Sequence, residues 1–317
     1  MIRRLLAVAL ATLVAAGAHA FPTKPVTLVV PFPPGGSTDM IARVLQPRLQ
    51  ERLGGTVVVE NRAGATGSIG ATQVARATPD GHTLLVSSLG PFVIVPHLMR
   101  VQYDALRDLE PITVVVQAPN VLVVPAASPH RTLADVLAHL RANPGRMTFG
   151  SAGNGSSDHL SAELFWQQTT TSGTHVPYRG GAPMLTDLLG GQLDAAFGNI
   201  NFVLPHIQSG RLRTLAVAST RRSPLLPEVP TLEESGVREA NVQSWQAIAA
   251  PRGLPADVRS RLHEAIVATF GEAPIRARLQ ELGFEMVLNT PEQFAAFQAA
   301  EFSRWQRLIQ TRNIKVD

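Results

Sequence analysis

The sequence predicts an α/β protein of two units, each built on a mainly parallel sheet. Three observations carry that reading. Short β-branched runs alternate with segments of helical period. The alternation occurs twice, on either side of an apolar stretch around residues 111–125. The strand-to-helix turns are rich in glycine, proline and serine, as tight connections between parallel strands and helices require.

Residues 1–20 stand apart from the fold. Arg3 and Arg4 give a positive start, Leu5 to Ala16 is apolar, and Ala18-His19-Ala20 is a small-residue cleavage site. The apolar part is too short for a membrane anchor, so a secretory signal cut after Ala20 is expected. Beyond it, "VTLVVPF" and "TVVVENR" read as buried strands flanking the helix "TDMIARVLQPRLQERLG". There Ile41, Val44, Leu45 and Leu49 fall at helical spacing, and Pro47 is expected to distort the helix. A helix over about Gly70 to Ala77, the turn Pro79-Asp80-Gly81 and the strand "HTLLVSS" complete the first unit.

In "PITVVVQAPNVLVVPAASP" two strand-like runs are separated by Ala118-Pro119-Asn120. A helix near Leu133 to Ala142, a Pro144-Gly145 turn and the strand "MTFGSA" follow, then the loop "GSAGNGSSD" opening the helix "HLSAELFWQQT". "THVPYRGGAPMLTDLLGG" is strand, loop and helix, and "LDAAFGN" and "LRTLAVAST" close the second unit. The Pro-rich "SPLLPEVPTLEESG" leads to "VQSWQAIAAPRGLP" and to helices at about Pro255–Thr269, Ala273–Leu282 and Pro291–Thr311.

Composition narrows the function. There is no cysteine, hence no disulfide and no thiolate nucleophile. The formal charge of +4 drops to about +2 without Arg3 and Arg4. The pI of 10.2 reflects a small arginine excess with only two lysines and two tyrosines to titrate. The arginines are scattered, without a basic run or an aromatic platform, which argues against nucleic acid. No G-x-S-x-G elbow, Walker A motif, G-x-G-x-x-G fingerprint or H-E-x-x-H helix occurs.

One internal likeness stands out. Gly36-Ser37-Thr38-Asp39 and Gly155-Ser156-Ser157-Asp158 both follow a strand and both open a helix. Each presents unpaired N–H groups, hydroxyls and the positive end of a helix dipole, so a pair of them makes a two-sided anion clamp. Ser, Thr and Asp at helix starts are also ordinary caps, and either reading fits one loop alone. Gly36 and Gly153 are expected to admit a ligand to the backbone and to use positive φ.

Taken as an ordered set, "KPVTLVVPFPPGGSTDMIARVLQPRL", "VVVENRAGATGSIGATQVARATPDGHTLLVSS", "GSAGNGSSDHLSAELF", "HVPYRGGAPMLTDLLGGQLDAAFGN" and "APRGLPADV" resemble the substrate-binding proteins of tripartite tricarboxylate transporters, the Bug-type receptors. The resemblance implies a periplasmic type II binding-protein fold: two α/β lobes joined by a two-crossover hinge and closing on a small carboxylic acid. It implies no enzyme activity, no cofactor and no metal. The partners it implies are a mono- or dicarboxylate and, where one exists, a membrane permease, with the receptor itself a monomer.

The expected boundaries are 21–122 with 227–317 for lobe 1 and 123–226 for lobe 2, with hinges near Asn120 to Val124 and Ser219 to Leu226. Carried residue by residue, the resemblance assigns Gly35, Gly36, Ser37, Thr38 and Asp39 to the first clamp loop. It assigns Ser151, Ala152, Gly153, Ser156, Ser157 and His159 to the second. Tyr178, Arg179 and Gly180 form a third strip, and Ser87 and Ser88 end a strand at the cleft. Asp39 and Asp158 suit capping rather than direct contact with an anion, and Arg179 could neutralise a second carboxylate. The rival readings are a secreted hydrolase using Ser157 and His159, and a solute receptor that signals rather than transports.

Overall fold

The computed structural model describes residues 21–315; the expected signal segment lies outside them. The first unit runs β1 (Val26–Val30), α1 (Ser37–Leu53), β2 (Val57–Asn61), α2 (Ser68–Ala75) and β3 (Thr83–Ser88). Helix α1 buries Ile41, Ala42, Leu45, Leu49 and Leu53 along one stripe and continues through Pro47. It stops at Gly54, whose left-handed φ of 70° lets its N–H donate to Gln50 O. After β3 comes a π-helical turn, Gly90–Ile94, running into a short helix α3 (Val95–Leu98). Neither was anticipated, because "GPFVIVPHL" is apolar throughout and shows no period.

Strand β4 (Leu109–Pro125) is one continuous element where two were expected. Leu109 to Pro119 pair with β9 (Gln243–Pro251), whereas Asn120 to Val123 pair with β7 (Ala195–Asn199). Pro119 falls where the strand changes partners, a place that tolerates a missing N–H donor. The second unit continues with α4 (Leu133–Ala142), β5 (Thr148–Ser151), α5 (Ser157–Thr169), β6 (Thr174–Pro177) and α6 (Gly181–Leu189). After β7, an unanticipated α7 (Ile200–Gln208) carries Pro205 inside it and precedes β8 (Leu212–Val217). Helices α8 (Ala256–Gly271) and α9 (Ala273–Glu281), strand β10 (Glu285–Met286) and α10 (Pro291–Arg312) complete the chain. Helix α10 starts in a capping box between Thr290 and Gln293.

The strand order is β2-β1-β3-β9-β4-β7-β5-β6, with β8 and β10 also on β4. The sheet is therefore parallel only where strands feed helices (β1 with β2 and β3, β5 with β6 and β7). All pairings of β4 are antiparallel, so each lobe's sheet is mixed rather than mainly parallel. This two-lobe arrangement is that of the type II-like fold.

Three backbone hydrogen bonds gather where β4 changes partners. Asn120 N–H donates to Val242 O, Ala218 N–H to Asn120 O, and Val242 N–H to Ala218 O, at 3.2, 2.8 and 3.0 Å. The Pro-rich segment does not itself make the return. Leu232 N–H donates to Val217 O, and Leu232, Val237 and Ala240 join the second lobe's core with Phe149, Phe165 and Phe197. Ala240 is in that core, and Val242 is in the first lobe's core with Trp245 and Phe294.

In the first lobe Trp245 stacks on Phe92 with centroids 5.6 Å apart, and Phe294 meets both edge-on. No described helix is long and apolar enough to cross a membrane. Because Trp245 is fully enclosed and its indole nitrogen has no partner, the two natural replacements should differ. Urea unfolding is expected to show a loss of about 3–5 kcal/mol for Trp245→Ala. Trp245→Phe keeps a ring and removes the orphaned N–H, so its loss should be clearly smaller.

Candidate functional site

Each lobe brings the carboxyl ends of its parallel strands to the face that meets the other lobe, so the strand-to-helix turns gather there. The first is Pro31 to Ser37. Gly35 takes φ 90° and donates its N–H to Asp39 Oδ2 at 3.0 Å. Asp39 is buried and also accepts from Arg43 Nε at 2.8 Å and Asn61 Nδ2 at 2.9 Å. Burial opposes its charge, but the bonds from Arg43, Gly35 and Asn61 outweigh that and hold the carboxyl below its ordinary value. Asp39 thus ties the loop to the helix and to β2. Gly36 is the N-cap, with φ −82° rather than a positive value, and nothing lies within 4 Å of where its Cβ would sit. The expected need for positive φ therefore moves to Gly35. Thr38 is buried, and the first-turn N–H groups around it have no intrahelical acceptor.

The second turn, Ser151 to Ser157, is more enclosed. Ser156 caps α5 by accepting from His159 N–H at 3.3 Å. Asp158 accepts from Ala152 N–H at 2.7 Å, and burial pushes its carboxyl up from the ordinary value. Among the described residues no cation plays the part Arg43 plays for Asp39: the equivalent position, one turn on, is Ala162. Gly153 does take positive φ, 132°, and a Cβ there would stand 3.0 Å from Tyr178 O. Gly155 approaches the first lobe so closely that a Cβ would lie 2.6 Å from Leu98 Cδ1 and 3.2 Å from Ile94 Cγ2.

His159 lies beneath this turn, not on it. Its Nδ1 accepts from Gly155 N–H at 3.1 Å, and its ring stacks on His175 with centroids 3.8 Å apart. His175 Nε2 meets Ser151 Oγ at 2.6 Å. Burial, with the neighbouring His175, lowers His159 to about 3, and burial lowers His175 to about 4. The described residues show no hydrogen bond between Ser157 and His159. The Ser151–His175 contact has a buried serine, and no described carboxylate bonds its imidazole.

The third strip is hydrogen-bonded to the second: Tyr178 N–H donates to Ser151 O and Gly180 N–H to Ala152 O, both at 3.0 Å. Tyr178 gives its hydroxyl to Asp187 Oδ2 at 2.6 Å. Arg179 is exposed and makes no ion pair with a described residue. Ser87 is fully buried and donates to the neighbouring Ser88 O, while Ser88 is half-buried beside Gln246 of β9. The two lobes meet through a residue not foreseen from the sequence: Asn201 Nδ2 donates to Ser37 Oγ at 2.8 Å. Asn199, Asn120 and Ser161 form a buried polar cluster with Ser157. These asparagines fall at the end of a strand, the start of an unforeseen helix and the middle of β4, and no motif marks them.

Comparison with known proteins gives a consistent picture. A model of the tripartite tricarboxylate transporter family receptor matches residues 41–314. An R. palustris protein solved with adipate is 36% identical, with a TM-score of 0.86 over 93% of this chain and 99% of its own. MatC from Rhodopseudomonas palustris with bound malate is 31% identical, with a TM-score of 0.83 over 91% and 100%. The periplasmic binding protein BugD is 34% identical, with a TM-score of 0.84 over 93% and 99%.

The two glycine positions should separate by stability. Gly36→Ala meets no steric or backbone obstacle and is expected to cost about 1 kcal/mol or less. Gly153→Ala forces a strained φ against a carbonyl and should cost about 1–3 kcal/mol in urea unfolding. The stacked histidines set a pH dependence. The unfolded chain takes up their protons near 6.5, whereas the folded one resists down to about 4 and 3. Their contribution is full above pH 6.5 and is lost as pH falls towards those values. Asp158, with its raised carboxyl, acts in the opposite sense. His175→Gln should therefore flatten the fall in melting temperature between pH 7 and pH 4.5.

Proposed function

The chain belongs to the tripartite tricarboxylate transporter receptor family, and from that premise we propose that it is a periplasmic receptor that captures a small mono- or dicarboxylate between its lobes. The observation that carries this is the pairing of two glycine-rich strand-to-helix turns, one from each lobe, joined by the Asn201–Ser37 bond. Each turn directs helix-start donors and a hydroxyl at the same gap, and each locks its own aspartate into the loop, away from an incoming anion. The adipate and malate complexes of proteins of the same fold support the solute class.

In this reading the contacts come from Gly36, Ser37 and Thr38, from Gly153, Ser156 and Ser157, and from Ser88, Arg179 and Gly180. Gly35, Asp39, Ser87, Ala152, Ser151, His159 and Tyr178 brace the turns through their bonds within the protein. A dicarboxylate that bridges the turns gains charge-assisted hydrogen bonds from both sides only in the closed form, and that difference drives closure about Asn120. The receptor acts as a monomer that hands its solute to a membrane permease.

A panel of malate, adipate and their monocarboxylate counterparts tests this by thermal shift and calorimetry. At about 100 times its Kd, a true ligand stabilises the fold by about 2.7 kcal/mol, which raises the melting temperature of a chain this long by about 4 °C. Binding of a neutral sugar or a cation, with no shift from any acid, would refute it. The same panel on Arg179→Met separates its two possible roles. Facing a second carboxylate, Arg179 contributes about 1.5–3 kcal/mol, and its loss lowers the di- to monocarboxylate affinity ratio by about ten- to a hundred-fold. An unchanged ratio returns Arg179 to solvent.

A further inference from the structure

The proton directions in the buried cluster behind the second turn can be followed from a fixed end. Ser161 Oγ donates to Ser157 O at 2.7 Å, and a carbonyl oxygen can only accept, so the Ser161 proton is committed there. Asn120 then meets Ser161 Oγ at 2.7 Å as a donor, which places its Nδ2 on that side and its Oδ1 on the other. Asn199 faces that Oδ1 and must present its own Nδ2. The same Nδ2 lies 3.0 Å from Ser157 Oγ, which therefore accepts from it. The Ser157 proton has one acceptor within reach in the described protein, Asp158 Oδ1, at 3.5 Å, longer than a good O–H···O bond. The first turn shows the same relation, with Asn201 Nδ2 donating to Ser37 Oγ at 2.8 Å.

We propose that Asn199, held by Asn120, is a positioning residue that fixes the Ser157 hydroxyl as a donor to the solute's carboxylate. The proposal rests on the carboxylate-receptor reading. Asn199 touches no solute in this scheme; it dictates which way a contacting hydroxyl points. A solute offering only donors leaves the Ser157 proton with its long contact to Asp158 alone, whereas a carboxylate oxygen gives it a close acceptor. Asn199 is the N-cap of α7 yet makes no side-chain cap, because its amide is used by Asn120 and Ser157. Asn120 belongs to the hinge, so the same buried amides join the lobes' pivot to the hydroxyl that greets the solute.

The test is a double-mutant cycle on the mature protein, with malate and adipate as probes in calorimetry and melting temperature as the control for folding. Ser157→Ala and Asn199→Ala are each expected to weaken binding by about ten-fold. If Asn199 works through Ser157, the double variant is weaker than either single by no more than about two- to three-fold. A loss near the product, about a hundred-fold, or full affinity in Asn199→Ala, overturns the proposal. A merely structural role for Asn199 gives that product, because it does not pass through the Ser157 hydroxyl. Should Asn199→Ala fail to fold, Asn199→Ser supplies an ordinary cap at the same position and runs the same cycle. Wild-type protein that binds neither acid refutes the carboxylate reading, and this inference with it. Wild-type binding with an additive cycle refutes this inference alone.

Discussion

Everything in this molecule is arranged around a strand that serves two sheets. One half of β4 lies between β9 and β10, the other between β7 and β8. At the change of partner the backbone of Asn120 is bonded to Ala218 and Val242. Those bonds tie the crossing point of the two lobes to the strands on either side. The contacts between the lobes come from turns at strand ends: Ser37 after β1, Gly155 after β5 and Asn201 after β7.

The two G-S-[ST]-D turns show how similar sequence can serve unequal physics. Asp39 has Arg43 one helical turn later, partly in solvent, and remains a well-supported anion. Asp158 has Ala162 in that position and lies wholly inside, where its charge is disfavoured. The first carboxylate is held by three close donors, one of them a cation, whereas the second has Ala152 N–H and a long contact from Ser157, above the neutral histidine stack.

Much of this was legible in the sequence, because period and turn chemistry are local. The α1 stripe, the capping residues, the glycine-rich turns and the two-unit order all follow from spacing of a few residues. Helix α7 and the π-helical turn were not legible: "INFVLPHIQ" places Ile200, Val203 and Leu204 at helical spacing but is short and interrupted by Pro205, and "GPFVIVPHL" carries two prolines in an apolar run. The break read at Ala118-Pro119-Asn120 was a change of strand partner, which is a tertiary fact. The two turns were legible as backbone and hydroxyl positions, but not which of their polar atoms are bonded within the protein. Ser87 and Ser88 differ only by the alternation of a strand, and His159 differs from Ser157 by a fraction of a helical turn. Asn120, Asn199 and Asn201 come together from distant elements, and only folding reveals them.

Gly155 faces the first lobe at Leu98 and Ile94, where an added Cβ would lie 2.6 and 3.2 Å from their methyl carbons. The fit of the lobes beside the turns therefore depends on an atom that is missing: any other residue would have to displace Leu98 or Ile94 and hold a left-handed φ of 75° as well. The position is a spacing requirement written into the sequence by omission.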